Sequence, residues 1–408
     1  MGRRWAGLTI PVTLTTAETQ PRTRHVGLAL LALALGGFAI GTTEFVTMGL
    51  LPDVAASIDR DIPTTGHIIS AYALGVVIGA PLIVSLCARM PKRALLLWLL
   101  GAIALGNVLT AVASGYVPVL LARVVAGLPH GAYFGVASLV AASLVPAGRR
   151  GRAISMVMMG LSAATVAGVP ASAWLGQALS WRAAYAAVVA IAVVAAVLVV
   201  AFVPVVPGDP RASIRGELGA LRQPAVIAAF LTGVVGFGGL FAMYSYIAPI
   251  VTDVVELPER VIPVFLLVFG IGSVTGTWLA GRLADWDNVR QVVGGLVATV
   301  LVLLGFHAFV ELAAAALVGV FLIGALGSVI AIGLQIRLMT AAGDAEMLGA
   351  ALNHASLNIA NGLGAWLGGL VIAAGAGYAA PALVGVGLST AGLLVFLAGL
   401  RWAPVKVR

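Results

Sequence analysis

Twelve times along the chain, a run of apolar residues long enough to cross a bilayer is closed by charge or by Gly/Pro punctuation. A helix needs about 20 mostly apolar residues to span ~30 Å of hydrocarbon, and in lipid its backbone polar groups must be satisfied within the segment. The runs lie near 26–50, 64–88, 94–115, 117–140, 153–178, 183–204, 224–250, 261–284, 291–310, 312–338, 348–374 and 381–402. A chain with this pattern folds as an all-α membrane protein. Its charge content agrees: Asp, Glu, Lys and Arg make up 9% of residues, against about 25% in soluble proteins. The first run is not a cleaved secretory signal, because it continues through Glu44 to Leu51 and no convincing small-residue cleavage site ends it.

Basic residues orient such a chain, since Lys and Arg accumulate on the cytoplasmic side while acidic residues carry little weight. With both termini inside, 19 of the 23 Lys and Arg fall in internal segments; Arg60, Arg182 and Arg260 are external and Arg123 lies within a span. The acidic residues divide seven inside and seven outside, with Glu44 in a span. The net charge of +8 is therefore assigned to membrane orientation and not to nucleic acid. A single cysteine, Cys87, excludes an internal disulfide and any Cys-rich metal site. Usage rich in Ala, Val and Arg suggests a GC-rich bacterial genome, and so a bacterial cytoplasmic (plasma) membrane.

The chain also repeats itself. A shift of 197 residues lays Gly41 on Gly238, Pro52 on Pro249, Gly75 on Gly272 and Gly79 on Gly276, the last two pairs each forming a GxxxG. The same shift brings the loop CARMPKR (Cys87 to Arg93) onto ADWDNVR (Ala284 to Arg290). Duplicated halves are common in transporters. The organisation expected is an N-terminal tail (1–25), a six-helix bundle (26–204), a cytoplasmic linker (205–223), a second, pseudo-symmetric six-helix bundle (224–402) and a C-terminal tail (403–408).

Only Glu44 and Arg123 carry formal charge well inside spans, where each costs about 2.5 to 3.5 kcal/mol on insertion scales. Counting from the span ends puts them at almost the same depth. Two readings fit: a static ion pair, or a proton-coupled switch in which a changed separation alters the proton affinity of the carboxyl. His130, seven residues after Arg123, suits substrate contact, a proton relay or a plain interhelical hydrogen bond. In the eleventh run His354, Asn358 and Asn361 share one helical face; Asn358 and Asn361 are candidates for substrate contact or for bonding between helices. Tyr244, with Tyr246, Phe241 and Trp366, is a candidate for an apolar wall or for packing.

No GxxxxGK[ST] occurs, and the only lysines are Lys92 and Lys406, which excludes direct ATP hydrolysis. HExxH, CxxC and a hydrolase triad are likewise missing. The expectation is a protein that is not an enzyme, uses no cofactor or metal and draws energy from ion gradients.

These features resemble the major facilitator superfamily. GTTEFVTMGLLPDVAASI (Gly41 to Ile58) and GHIISAYALGVVIGAPL (Gly66 to Leu82) resemble its twelve-span drug:proton antiporter branch, most of all the arabinose-efflux and chloramphenicol-resistance permeases. SWRAAY after the fifth run and NIANGLGAW in the eleventh look similar too. The family's loop motif GxLaDrxGrr is matched in the second half by GRLADW (Gly281 to Trp286), with Asp285 at its acidic position; in the first half Val84 and Ala88 replace its Gly and Asp, leaving Arg89, Lys92 and Arg93. The resemblance implies a conformational latch at Arg89, Arg93 and Asp285. It further implies proton coupling at Arg123, which with Gly127 matches the family's fourth-span motif, and at Glu44. The fifth-span antiporter motif is partly kept, as Gly160, Gly168, Pro170 and Gly176.

The function expected is a secondary transporter that exports a small molecule, drug-like or a metabolite, in exchange for protons by alternating access. A sugar or nucleoside exporter is the alternative within transporters. A non-transporting membrane sensor is the alternative outside them, although the loops are short for one. The expected partners are substrate, protons and lipid, with no nucleic acid and a monomer as the working unit.

Overall fold

The structure, a computed structural model, describes residues 25–87, 89–146, 149–207, 222–343 and 346–402. Among these residues, twelve segments are long and apolar enough to cross a membrane. In the first half these are span 1 (Val26–Gly49), span 2 (Ile62–Gly79, within the helix Ile62–Cys87), span 3 (Lys92–Val112), span 4 (Tyr116–Ser143), span 5 (Ala153–Ala178) and span 6 (Trp181–Phe202). In the second half they are span 7 (Pro224–Tyr244), span 8 (Glu259–Ala284), span 9 (Asn288–Phe309), span 10 (Ala313–Ala342), span 11 (Leu352–Ala373) and span 12 (Pro381–Trp402). The described residues contain no strand. Both terminal tails, apart from His25, and most of the linker expected at 205–223 lie outside the described residues.

Several helices begin two or three residues before their apolar runs, because side chains cap the first turn. Asp61 accepts from the Thr64 N–H (2.8 Å), Ser180 from Arg182 (3.2 Å), and Asp287 from Val289 (2.9 Å) and Arg290 (3.1 Å). Proline interrupts others. Span 4 breaks between Gly127 and His130, where Pro129 has no N–H to continue the ladder. Span 5 widens to a π-helix at Ala164–Gly168, just before Pro170. Span 7 turns at Ser245 and Tyr246, and Pro249 then leads into a π-helical turn at Ile250–Val254.

Without a hydrophobic drive between helices in lipid, close packing of small residues joins them. A Cβ on Gly75 would sit 2.2 Å from the Val124 carbonyl oxygen of span 4, and one on Gly79 2.1 Å from that of Leu128. In the second half, Gly272 would meet the Phe321 carbonyl at 2.1 Å and Gly276 that of Ala325 at 2.1 Å. Val124 and Phe321, and Leu128 and Ala325, differ by the same 197 positions as the glycines. The internal repeat is thus a repeat of contacts. It reaches the loops: Asp59 (φ 52°) and Glu256 (φ 56°), again 197 apart, are the non-glycine residues with positive φ among those described, each in the loop that follows the first span of its half.

The halves are joined asymmetrically. On the side away from the chain termini one continuous apolar core takes in Val46, Leu50 and Ile68 from the first half and Phe241, Ile247, Val251 and Phe265 from the second. Toward the termini, a core including Leu33, Leu96 and Val140 belongs to the first half alone. Several contacts close the far side across the halves. The Ser70 hydroxyl donates to the Gly362 carbonyl (2.8 Å), Gln177 donates to the Glu259 carbonyl (3.0 Å), and Phe45 stacks on Phe241 at 6.2 Å. Gly66 of span 2 leaves room for the Tyr246 hydroxyl, which donates to the Ala365 carbonyl (2.7 Å). Also on this side, burial and the nearby Glu259 carboxylate push the Asp53 carboxyl above its ordinary value of 3.8. Toward the termini a cavity of about 290 Å³ separates spans 4 and 5 from spans 10 and 11.

Candidate functional site at the centre of the two bundles

Span 1 carries the sequence Gly41-Thr42-Thr43-Glu44 to the middle of the molecule, where Glu44 is 6% exposed. Arg123 of span 4 is fully buried beside it. The expected equality of depth therefore holds, but the guanidinium does not pair with the carboxyl. Its fork closes on the preceding residue instead: Nη1 donates to the Thr43 hydroxyl (3.0 Å) and Nη2 to the Thr43 carbonyl (2.9 Å). That hydroxyl donates onward to Asn107 Oδ1 of span 3 (2.6 Å), whose amide donates to the Ile103 carbonyl (2.8 Å). The Tyr72 and Tyr185 rings hold the cation, at 4.5 and 5.4 Å from the guanidinium carbon. Tyr185 is fixed in turn by a 2.7 Å hydroxyl contact with Thr47. Arg123 is thus a rigid positive charge near Glu44, not its ion-pair partner.

His130 lies beside the carboxyl, with Nδ1 4.0 Å from Glu44 Oε2 and 3.0 Å from the Tyr72 hydroxyl. Its Nε2 has no hydrogen-bond partner among the described residues. The break at Pro129 does not take it off the Arg123 side of span 4, because both residues meet Tyr72. From the second half, the buried Asn361 approaches Glu44 within electrostatic reach, and both its amide atoms lack a hydrogen-bond partner among the described residues. Asn358 donates to the His354 carbonyl one turn back (3.0 Å), leaving Oδ1 unpaired. Glu44, His130 and Asn361 therefore converge across the boundary between the halves. A row of rings leads from there to the cavity: His130 packs edge-on to Phe134 (5.4 Å between centroids), and Phe134 stacks on His354 of span 11 (5.6 Å, 6° between planes).

The remaining candidates lie elsewhere. Tyr244 is buried away from the cavity wall, stacked on Phe269 at 3.8 Å and edge-on to Phe45 within the far-side core. Trp366 is 46% exposed, on the outside of the bundle. Arg93 donates to the Val200 carbonyl in span 6, and Arg89 is exposed. Asp285 is in the last turn of the helix Ile262–Trp286, with its side chain outside what is described. Thr43, Tyr72, Asn107 and Phe134 were not legible as site residues. Asn107, an amide within the apolar third run, was the one with a signal to find it by.

Comparison with known proteins agrees with this architecture. The model of the Major Facilitator Superfamily matches residues 33–353. The chain is 37% identical over 378 residues to the inner membrane transport protein YdhP of Escherichia coli, covering 93% of this chain and 97% of that one. It is 36% identical over 389 residues to a chloramphenicol resistance protein of Streptomyces lividans, with 93% and 96% covered. A crystal structure of a bacterial homologue of the human lysosomal transporter Spinster superposes with a TM-score of 0.69 at 15% identity, over 92% of this chain and 95% of that one. With the twelve spans, the paired bundles and a match that runs through both halves, this chain belongs to the major facilitator superfamily and is a membrane transporter, not an enzyme.

Proposed function

We propose that the protein is a proton-coupled exporter of the bacterial cytoplasmic membrane, with both termini in the cytoplasm, releasing a small molecule outward as protons enter. The observation that carries this reading is the Glu44 carboxyl, buried at the boundary of the halves between His130 of one and Asn361 of the other. A carboxyl so placed changes surroundings whenever the bundles rock, while Arg123 stays bound to Thr43. Rocking therefore alters the proton affinity of Glu44 without moving the fixed charge. The rocking bodies are assigned to residues 26–204 and 224–402, linked by 205–223. With the termini inside, the cavity faces the cytoplasm and the far-side core closes the outer path. Arg89, Arg93 and Asp285 are assigned to a latch that holds the cytoplasmic ends together in the alternate state. The working unit is taken as a monomer.

Liposomes containing the purified protein, with an imposed pH gradient and labelled chloramphenicol as trial substrate, test the reading. Uphill movement that collapses with the gradient and is lost in Glu44→Gln is expected; full uphill transport by that variant moves the proton site elsewhere. The unpaired Asn358 Oδ1 and Asn361 amide favour a second reading, a sugar or nucleoside exporter coupled in the same way.

A further inference from the structure

The cavity on the terminal side has a chemistry of its own. Its walls come from spans 2, 4, 5, 10 and 11 and, among the described residues, include no Asp, Glu, Lys or Arg. Three polar side chains reach it, Ser138, Gln335 and His354, and no hydrogen bond within the protein occupies any of them among the described residues. Phe134 and His354, stacked plane on plane from opposite halves, form one end. Met158 and Met339 supply flexible, polarizable surface. At about 290 Å³ the space is near the lower limit for small-molecule sites, roughly 300 to 1,000 Å³.

We infer that this cavity is the binding site for an uncharged, planar aromatic molecule with a few hydrogen-bonding groups, received against the Phe134–His354 ring pair. The inference rests on the exporter reading and adds the substrate class. A charged ligand would leave water for walls whose described residues offer no counter-charge, an expensive transfer. A sugar would bring a hydroxyl on nearly every carbon to a wall with three polar side chains and leave most of them unbonded. An aromatic ring finds two near-parallel rings in the cavity wall, and its polar substituents find Ser138 and Gln335 free among the described residues. Because Phe134 belongs to one bundle and His354 to the other, a ligand on this pair touches both moving bodies, and the edge-on contact of Phe134 with His130 leads on to Glu44.

The test is equilibrium binding to the purified full chain in detergent, with no gradient. The probes are a set of uncharged aromatic amphiphiles headed by chloramphenicol, with L-arabinose and the aromatic cation tetraphenylphosphonium as contrasts. The expected result is binding by members of the first set alone. Phe134→Ala should weaken it roughly tenfold, the scale of one lost aromatic contact, and Phe134→Tyr should retain it. Since Phe134 is buried, a second variant guards against misfolding. Gly135 lines the cavity and a Cβ there meets nothing within 4 Å, so Gly135→Leu fills the space without crowding the helices and should abolish binding while leaving the melting temperature unchanged. Binding by arabinose or by the cation, no binding by any uncharged aromatic, or binding indifferent to Gly135→Leu would each overturn the assignment. Proton coupling is silent in this assay, so specific binding without gradient-driven transport defeats the exporter reading and leaves the site standing.

Discussion

Arg123 is bonded through both terminal nitrogens to Thr43, the residue before Glu44, with the Thr43 hydroxyl passing the connection to Asn107. One threonine therefore fixes the charge that faces the carboxyl. Thr43→Val removes the hydroxyl with little change in shape and leaves Arg123 Nη1 and Asn107 Oδ1 without their partner. A stability loss of about 1 to 3 kcal/mol is expected, read as a lower melting temperature in detergent. Thr43→Ser should restore most of it. If Thr43→Val matches the parent in stability and in pH-driven transport, the guanidinium is held by other contacts.

The paired glycines give a matched test of the repeat. Gly75→Ala and Gly272→Ala each press a methyl group onto a backbone carbonyl of the neighbouring span, at 2.2 and 2.1 Å. A backbone cannot swing aside as a side chain does, so each should cost roughly 1 to 3 kcal/mol or more and reduce yield of folded protein. Gly101→Ala, with nothing within 4 Å of the new carbon, should be silent. Equal tolerance of all three by size-exclusion profile and thermal melt would contradict the packing.

Closure of the far side should depend on pH through Asp53, whose carboxyl is held above 3.8 by burial and by Glu259. The closed arrangement binds that proton more tightly than one in which the halves part and Asp53 is hydrated. The penalty on closure is absent below 3.8, where both forms are protonated, grows as pH rises toward the raised value, and is complete above it. Spin-label distances between the far-side ends of spans 1 and 8, followed from acid to neutral pH, should show the closed population falling. Asp53→Asn should keep it high and flat.

The Ser70 hydroxyl bond to the Gly362 carbonyl, which joins span 2 of one half to span 11 of the other, is a second control on closure. Ser70→Ala removes about 1 kcal/mol from this arrangement, a roughly fivefold shift toward the alternate one. Cysteines placed on the wall of the terminal-side cavity should then react more slowly with a thiol reagent. Unchanged labelling would show that the bond survives the transition.

The spans, the duplication and the shared depth of Glu44 and Arg123 were legible because lipid makes length, charge and small residues expensive to misplace. Rotation about a helix axis was not. Depth alone cannot say whether a guanidinium turns to Glu44 or to Thr43. Aromatics carry even less signal: Tyr244 in the sealed core, Trp366 on the outer surface and Phe134 at the cavity all occur in equally apolar sequence. Burial tolerates each of them in any of the three places.

Asp59 and Glu256 are exposed, yet both turn the chain through the left-handed region at the same point of their halves. Each such turn costs about 1 kcal/mol or more for a residue with a side chain, and Gly, which would relieve it, stands at neither. Fold memory here resides in torsion angles, not in residue identity: the sharp reversal after each leading span sets where the next helix re-enters the membrane. Glu256→Gly should therefore be accepted or stabilising, while shortening either loop by one residue should misalign the following helix by about 100° of azimuth and carry the GxxxG stripe away from its partner carbonyls.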